Sequence, residues 1–382
     1  MNELRLIAPC HFGLEKTLAF EIKRAGGENL EITDGRIHFT GTPQTLVRAN
    51  ISCSVAERIG VTLARFKAVS FDDVFDNVKQ IPVGDFLEKN AAFPITKGQS
   101  LKSVLTSIPA LQRTVKKALV EAMSSAYKTK TLPETGAVYP VRFFLHKDEM
   151  TVFLDSSGEG LHKRGYRRNS GDAPIKETLA AGIVDIAKVK STDCVIDPFC
   201  GSGTLLIEAA LKALRIPPGL NRGFAAEKWG VVPTGMWKEQ RDFFKSGIIK
   251  PEDSEFTALG FDIDPNCVRL TLENAEKAGV GKCIKARTQA ISDFSFSDIS
   301  IKASRFTLIA NPPYAERMLE KSDTERIYRE MGERLSPIAL SDNNCGVYII
   351  TSDMEFEEYF GRQSKKNRKL YNGMLMCRLY MY

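Results

Sequence analysis

The chain has 382 residues, 43% hydrophobic and 26% charged, values that suit two or three folded domains and exclude a disordered polymer. Its 53 Lys and Arg exceed its 47 Asp and Glu by six, which permits a polyanionic partner without demanding one. Eight scattered cysteines with no CxxC pair, four dispersed histidines and no apolar run of about 18 residues set aside a disulfide scaffold, a structural zinc site and a membrane span. The N-terminus lacks a signal-peptide pattern, so the expectation is a cytoplasmic protein with reduced thiols and no metal.

The first 70 residues read β-α-β-β-α-β, a ferredoxin-like order. LRLIA (4–8) suits a strand, and LEKTLAFEIKRA (14–25) carries helical apolar spacing before Gly26-Gly27. LEIT (30–33) and RIHF (36–39) flank the hairpin turn Asp34-Gly35. Thr42 and Pro43 open a second helix, TPQTLVRANISCSVAERI, and VTLARFKAV (61–69) returns as a strand. A second unit follows over 71–155, or from about residue 45. It has helices at FDDVFDNVKQI and IPALQRTVKKALVEAM and strands at VRFFLH and MTVFLD. The aperiodic stretch over 156–172, rich in Gly, Ser and Arg, is predicted to be a basic linker.

From residue 173 to 382, helices alternate with β-branched strands, which implies a mostly parallel α/β sheet covered on both faces. CVID (194–197), TALGFDID (257–264), RFTLIA (305–310) and GVYIIT (346–351) are its strands, and KLYNGMLMCRLYMY closes as an antiparallel hairpin over Asn372-Gly373. Ligands of such sheets sit beyond the carboxyl ends of the strands, and three motifs fall there. Asp197-Pro198-Phe199-Cys200-Gly201-Ser202-Gly203-Thr204 is a glycine turn opening a helix. Two glycines let backbone approach a ligand, although a GxG turn is also a common structural corner. It is neither a Walker A loop nor a full dinucleotide fingerprint. Gly260-Phe261-Asp262-Ile263-Asp264-Pro265 puts a carboxylate where ribose hydroxyls bind, or merely caps the next helix.

The third motif, Asn311-Pro312-Pro313-Tyr314, is a turn or something more specific. An exocyclic base amine is a poor nucleophile because its lone pair is delocalised into the ring. An Asn oxygen and the Pro312 carbonyl would accept both amine N–H bonds and free that lone pair, with the prolines fixing the backbone. Tyr314 would stack on the base, worth about 1–3 kcal/mol.

DPFCGSGT, GFDIDP and NPPY, in that order on successive strands, resemble the S-adenosylmethionine-dependent class I amino-methyltransferases. HKRGYRR (162–168), APIKETLAAG (173–182), NRGFAAEKW (221–229) and NPPYAERM (311–318) narrow the resemblance to THUMP-containing RNA methyltransferases, in particular those related to the bacterial 23S rRNA guanine-N2 enzymes. The resemblance implies a seven-stranded Rossmann-like catalytic domain and a THUMP-like unit up to about 155. It implies that Asp197, Pro198, Gly201 and Gly203 hold the methionine end of S-adenosylmethionine and that Asp262, helped by Asp264, holds the ribose. The segment ARTQAISDF departs from the family pattern, so Asp293, the nearest carboxylate for the adenine amine, sits later than usual.

HKRGYRR packs four cations around one tyrosine, and SKKNRK (364–369) adds four more. A charge run is usually a solvated face. Beside a base-methylating site, Arg164, Tyr166, Arg167 and Arg168 read as a phosphate clamp, since Arg grips phosphate bidentately and Tyr stacks. The expectation is therefore an RNA methyltransferase acting on an exocyclic amine, guanine N2 of 23S rRNA first. Its rivals are tRNA guanine or DNA adenine-N6 methylation, and a non-catalytic RNA-binding assembly factor.

Overall fold

Strand β1 (Leu4–Pro9), helix α1 (Glu15–Arg24), strands β2 (Glu28–Thr33) and β3 (Arg36–Gly41), helix α2 (Pro43–Ser52) and strand β4 (Gly60–Lys67) follow in the order the sequence predicts. The computed structural model describes residues 3–167, 175–313, 321–341 and 344–382. Gly35 takes a left-handed φ of 71° in the β2–β3 turn. Thr42 caps α2 by accepting the Thr45 N–H at its hydroxyl, and the Thr45 hydroxyl oxygen accepts the Thr42 N–H in return. The helix stops at Ser52, short of the predicted run, because Cys53 turns extended at φ −70°, ψ 117°.

Helix α3 (Phe71–Lys79), strand β5 (Ile95–Leu101), helix α4 (Ile108–Ala126) and strands β6 (Val141–His146) and β7 (Glu149–Asp155) come next. Strands β1 to β7 form one sheet in the order β2-β3-β1-β4-β7-β6-β5. It is antiparallel except where β5 meets β6. The ferredoxin-like strands and the strands after them thus share one sheet, joined where Gly60↔Asp155 through Lys67↔Glu149 pair β4 with β7.

The chain divides into two units. The first combines Met1–Pro9, Leu18–Leu161 and Arg222–Asp242. Its last segment is anchored by aromatics: Trp229 stacks on Tyr139 with ring centroids 4.7 Å apart, and its Nε1–H donates to the Val138 carbonyl at 3.0 Å. The Tyr139 hydroxyl donates to Glu88 Oε2 at 2.7 Å, and Glu88 Oε1 accepts the Gly230 N–H. The stretch predicted as a linker begins packed inside this unit. Ser156 and Ser157 are buried, with Ser156 Oγ donating to the Ile59 carbonyl and Ser157 Oγ to Asn50 Oδ1, each at 2.7 Å. Small polar residues imitate a linker in composition, yet here they satisfy buried backbone and amide groups.

The second unit combines Cys10–Thr17, His162–Asn221 and Phe243–Tyr382. It contains helix α5 (Glu177–Ile186), strand β8 (Asp193–Asp197) and helix α6 (Thr204–Ala213); helix α7 (Met236–Ser246) runs from the first unit into it. Strand β9 (Thr257–Asp262), helix α8 (Pro265–Lys277), strands β10 (Ile284–Thr288) and β11 (Arg305–Ala310) and helix α9 (Lys321–Ser341) follow. Strand β12 (Cys345–Thr351), helix α10 (Phe356–Phe360) and strands β13 (Lys366–Asn372) and β14 (Leu375–Met381) end the chain. The sheet order is β10-β9-β8-β11-β12-β14-β13, parallel through β12, with the C-terminal hairpin antiparallel at one edge. Strand order reverses between β8 and β11, which opens a crevice at their carboxyl ends. Ile196, Leu308, Val347 and Ile349 lie at the sheet's centre in a core completed by Tyr328, Met331, Leu335 and Phe356. Among the described residues no helix is long and apolar enough to cross a membrane.

Candidate active site

All five residues of β8 are buried, and the strand delivers Asp197 to the crevice. Burial pushes the Asp197 carboxyl up to about 8, and the Asp262 charge adds to the shift. The Phe199 N–H, donating to Asp197 Oδ1 at 3.0 Å, opposes it. A buried acid this reluctant to ionise is a ready partner for a cation.

The loop after Asp197 needs its glycines. Gly201 has φ 52° and Gly203 has φ 80°, both left-handed. A Cβ on Gly203 would lie 2.9 Å from Thr271 Cγ2, whereas one on Gly201 would meet no atom within 4 Å. The loop is therefore tight against α8 at Gly203 and open at Gly201. From α8, Thr271 Oγ1 donates to the Gly201 carbonyl at 2.8 Å and Asn274 Nδ2 to the Ser202 carbonyl at 3.0 Å. Sequence reasoning passed over these two residues. Their signal is two polar side chains three apart on the buried face of a helix that also buries Val268 and Ala275.

Asp262 ends β9 half-buried. Its Oδ2 accepts the Gly201 N–H at 2.9 Å, and its Oδ1 accepts the Asp264 N–H at 3.0 Å. Asp264 itself caps α8, accepting the Asn266 N–H at 2.8 Å. Ile263 between them is 75% exposed, an apolar surface beside the carboxylate. The Gln289 N–H donates to the Asp262 carbonyl, and Gln289 Nε2 donates to the carbonyl of Asp293, each at 2.9 Å. Asp293 is exposed on that turn.

Strand β11 lies beside β8 with Leu308 level with Ile196, so Asn311 follows β11 one strand away from Asp197. Pro312 is buried, and Asn311 and Pro313 are half-buried. Tyr314 lies outside the described residues. The strand ends thus bring together the glycine loop, the Asp262 turn and Asn311-Pro312.

The structure corrects the phosphate-clamp reading for Arg164, Tyr166 and Arg167. Arg164 is 9% and Tyr166 3% exposed, and both bond the buried Glu208: Arg164 Nε lies 3.4 Å from Glu208 Oε1, and the Tyr166 hydroxyl donates to that oxygen at 3.0 Å. Arg167 Nη2 pairs with Glu177 Oε2 at 3.0 Å, while Nη1 donates to the Ile175 carbonyl and to Thr204 Oγ1. Helices α5 and α6 bury two carboxylates whose pKa values burial raises, and the arginines supply the compensating charge. Arg168 lies outside the described residues. Among the described residues no group of three or more His, Cys, Asp or Glu is placed to hold a metal ion.

Residues 164–381 match the model of the RMKL-like methyltransferase domain. The chain belongs to the RMKL-like methyltransferase family. Residues 5–60 match the RlmL ferredoxin-like domain and residues 68–155 the THUMP domain. The chain is 40% identical over 384 residues to the Bacillus subtilis (strain 168) protein named "Putative RNA methyltransferase YpsC", covering 100% of this chain and 96% of that one. It is 30% identical over 390 residues to the ribosomal RNA large subunit methyltransferase K/L of Psychromonas ingrahamii, covering 99% of this chain and 50% of that protein. The chain thus spans about half the length of this K/L relative. Among solved structures, SMU.472, titled a "putative methyltransferase complexed with SAH", superposes with a TM-score of 0.89 at 32% identity, covering 100% of this chain and 98% of that one.

Proposed function

We propose that this family member moves a methyl group from S-adenosylmethionine to an exocyclic base amine in RNA, guanine N2 of large-subunit ribosomal RNA being the preferred acceptor. The observation that carries the reading is the placement of Asn311 and Pro312 at the carboxyl end of β11, one strand from Asp197 and its glycine loop. The related structure whose title names SAH and the relative named for ribosomal RNA support the donor and the substrate class. The THUMP domain at 68–155 would grip structured RNA in the cytoplasm.

The chemistry of the donor set fits the cofactor. Asp197, buried and unwilling to carry charge alone, would pair with the ammonium of the methionine moiety. Pro198 fixes the turn that follows it, and the open side of Gly201 admits the moiety's backbone-like atoms. Asp262 offers its remaining lone pairs to the ribose hydroxyls. Asp264 is committed to capping α8, so it assists by shaping the turn. Ile263 would give the adenine ring an apolar face, and Asp293, exposed on the turn that Gln289 braces, would accept its amine.

When bound, S-adenosylmethionine supplies an electrophilic methyl on a sulfonium. The protein's work is alignment and polarisation. Asn311 Oδ1 and the Pro312 carbonyl accept the two N–H bonds of the target amine, localising its lone pair. Tyr314, outside the described residues, would stack on the extruded base. The proton leaves to water after transfer, so no general base is assigned.

Nucleoside mass spectrometry of ribosomal and transfer RNA from a strain lacking the gene tests the reading. Loss of N2-methylguanosine from large-subunit rRNA is expected. Loss of N6-methyladenosine instead would move the acceptor to adenine. An unchanged methylation profile would leave a cofactor-binding assembly factor.

A further inference from the structure

Strand β13 runs in the same direction as β11 and β12, because the steps from β12 to β14 and from β14 to β13 are both antiparallel. Its carboxyl end therefore lies at the edge of the sheet that carries Asp197, Asp262 and Asn311. The hairpin overshoots that edge. Thr351, the last residue of β12, is level with Arg378, which is level with Lys369. Leu370, Tyr371 and Asn372 continue past that level, paired with Cys377, Met376 and Leu375. At roughly 3.3 Å per residue they carry the tip about 10 Å beyond the end of β12.

Gly373, at φ 69°, turns the chain there, and Met374 is 98% exposed, more than any other large apolar side chain described. The hairpin is braced within the same unit as far as its projecting part. A Cβ on Gly13 would lie 2.5 Å from the Lys369 carbonyl oxygen, and Phe12 meets Tyr371 edge-on at 5.8 Å. Along β13 and just before it, Lys365, Lys366 and Lys369 are exposed and Arg368 half-buried; among the described residues none of them makes an ion pair. Lysines on an edge strand also discourage strand pairing between molecules. That role does not account for a bare thioether held out at the catalytic edge.

We propose that this hairpin is a second RNA-contacting element, its cations meeting phosphates while Met374 packs into the base stack beside the nucleotide delivered to Asn311. The proposal rests on the RNA reading above. Extruding a base leaves an irregular gap between its neighbours, and apolar side chains, methionine among them, fill such gaps. An unbranched thioether adapts to the gap and contacts ring edges favourably.

The test uses the full-length protein, labelled S-adenosylmethionine and total RNA from a strain lacking the gene. Met374→Ala should lose at least about tenfold in kcat/KM for RNA, with cofactor affinity unchanged, and Met374→Leu should recover most of it. Lys366→Gln with Lys369→Gln should flatten the dependence of log K on log salt by roughly 0.7–0.9 per lost contact. Wild-type kinetics in Met374→Ala, or an unaltered salt slope in the double variant, overturns the proposal. Failure of the wild-type protein to methylate any of this RNA would instead overturn the RNA reading, and the hairpin's role with it.

Discussion

The Gly201 N–H donates to Asp262 Oδ2 at 2.9 Å, tying the loop after β8 to the end of β9 across 61 positions of sequence. One carboxylate thus shapes the glycine loop and, in the proposed reading, reads the ribose. Asp262→Asn would keep one acceptor oxygen and turn an amide N–H toward one of the backbone donors, Gly201 or Asp264. A donor facing a donor costs about 1–3 kcal/mol. That cost falls on stability; the weaker hydrogen bonds of a neutral amide to the ribose hydroxyls, about 1.5–3 kcal/mol, should lower cofactor affinity by roughly ten- to a hundredfold in calorimetry.

Asp197 predicts a pH dependence. Its folded value of about 8 stands above the ordinary 3.8, so folding retains a proton between those limits. The stability it contributes is complete at low pH and is lost as pH rises through about 8. Denaturation of the cofactor-free protein between about pH 4 and 8, the window set by the two values, should show this decline, and Asp197→Asn should flatten it. Pairing with a cationic ligand pulls the value down. Cofactor binding near neutrality should therefore release a proton, visible as a buffer-dependent heat, and the release should vanish in Asp197→Asn.

Glu208 and Arg164 predict an asymmetric pair of costs. Both side chains are nearly inaccessible, and the Tyr166 hydroxyl shares Glu208 Oε1. Glu208→Ala strands a buried guanidinium and should destabilise the protein by about 3–5 kcal/mol in chemical denaturation. Glu208→Leu combined with Arg164→Met should cost much less, since an apolar pair leaves no uncompensated charge.

The glycine loop, the acidic turn and Asn-Pro-Pro were legible because each is a contiguous motif directly following a β-branched strand. In a parallel sheet all such ends share one edge, so reading the strands in order was enough to gather the motifs there. Thr271 and Asn274 were not legible, because their partners are backbone carbonyls some seventy positions away. HKRGYRR was misread for a related reason. A run of cations does not reveal that Glu177 and Glu208 lie buried on the faces of two later helices, waiting for it. Strand β5 escaped because Gly98 weakens its pattern; that glycine leaves room for the Phe143 ring, which a Cβ would approach to 2.1 Å.

Asn311 carries the account, and single-turnover methylation by Asn311→Ala, with saturating cofactor and RNA from the deletion strain, tests it most directly. Losing one transition-state hydrogen bond in a water-poor site should slow the chemical step by about 10²–10³. Cofactor and RNA affinities should remain near wild type, and Asn311→Asp, which keeps an acceptor oxygen, should retain more activity than the alanine variant. A wild-type rate in Asn311→Ala would contradict the mechanism and leave Asn311-Pro312 as a turn that ends a strand.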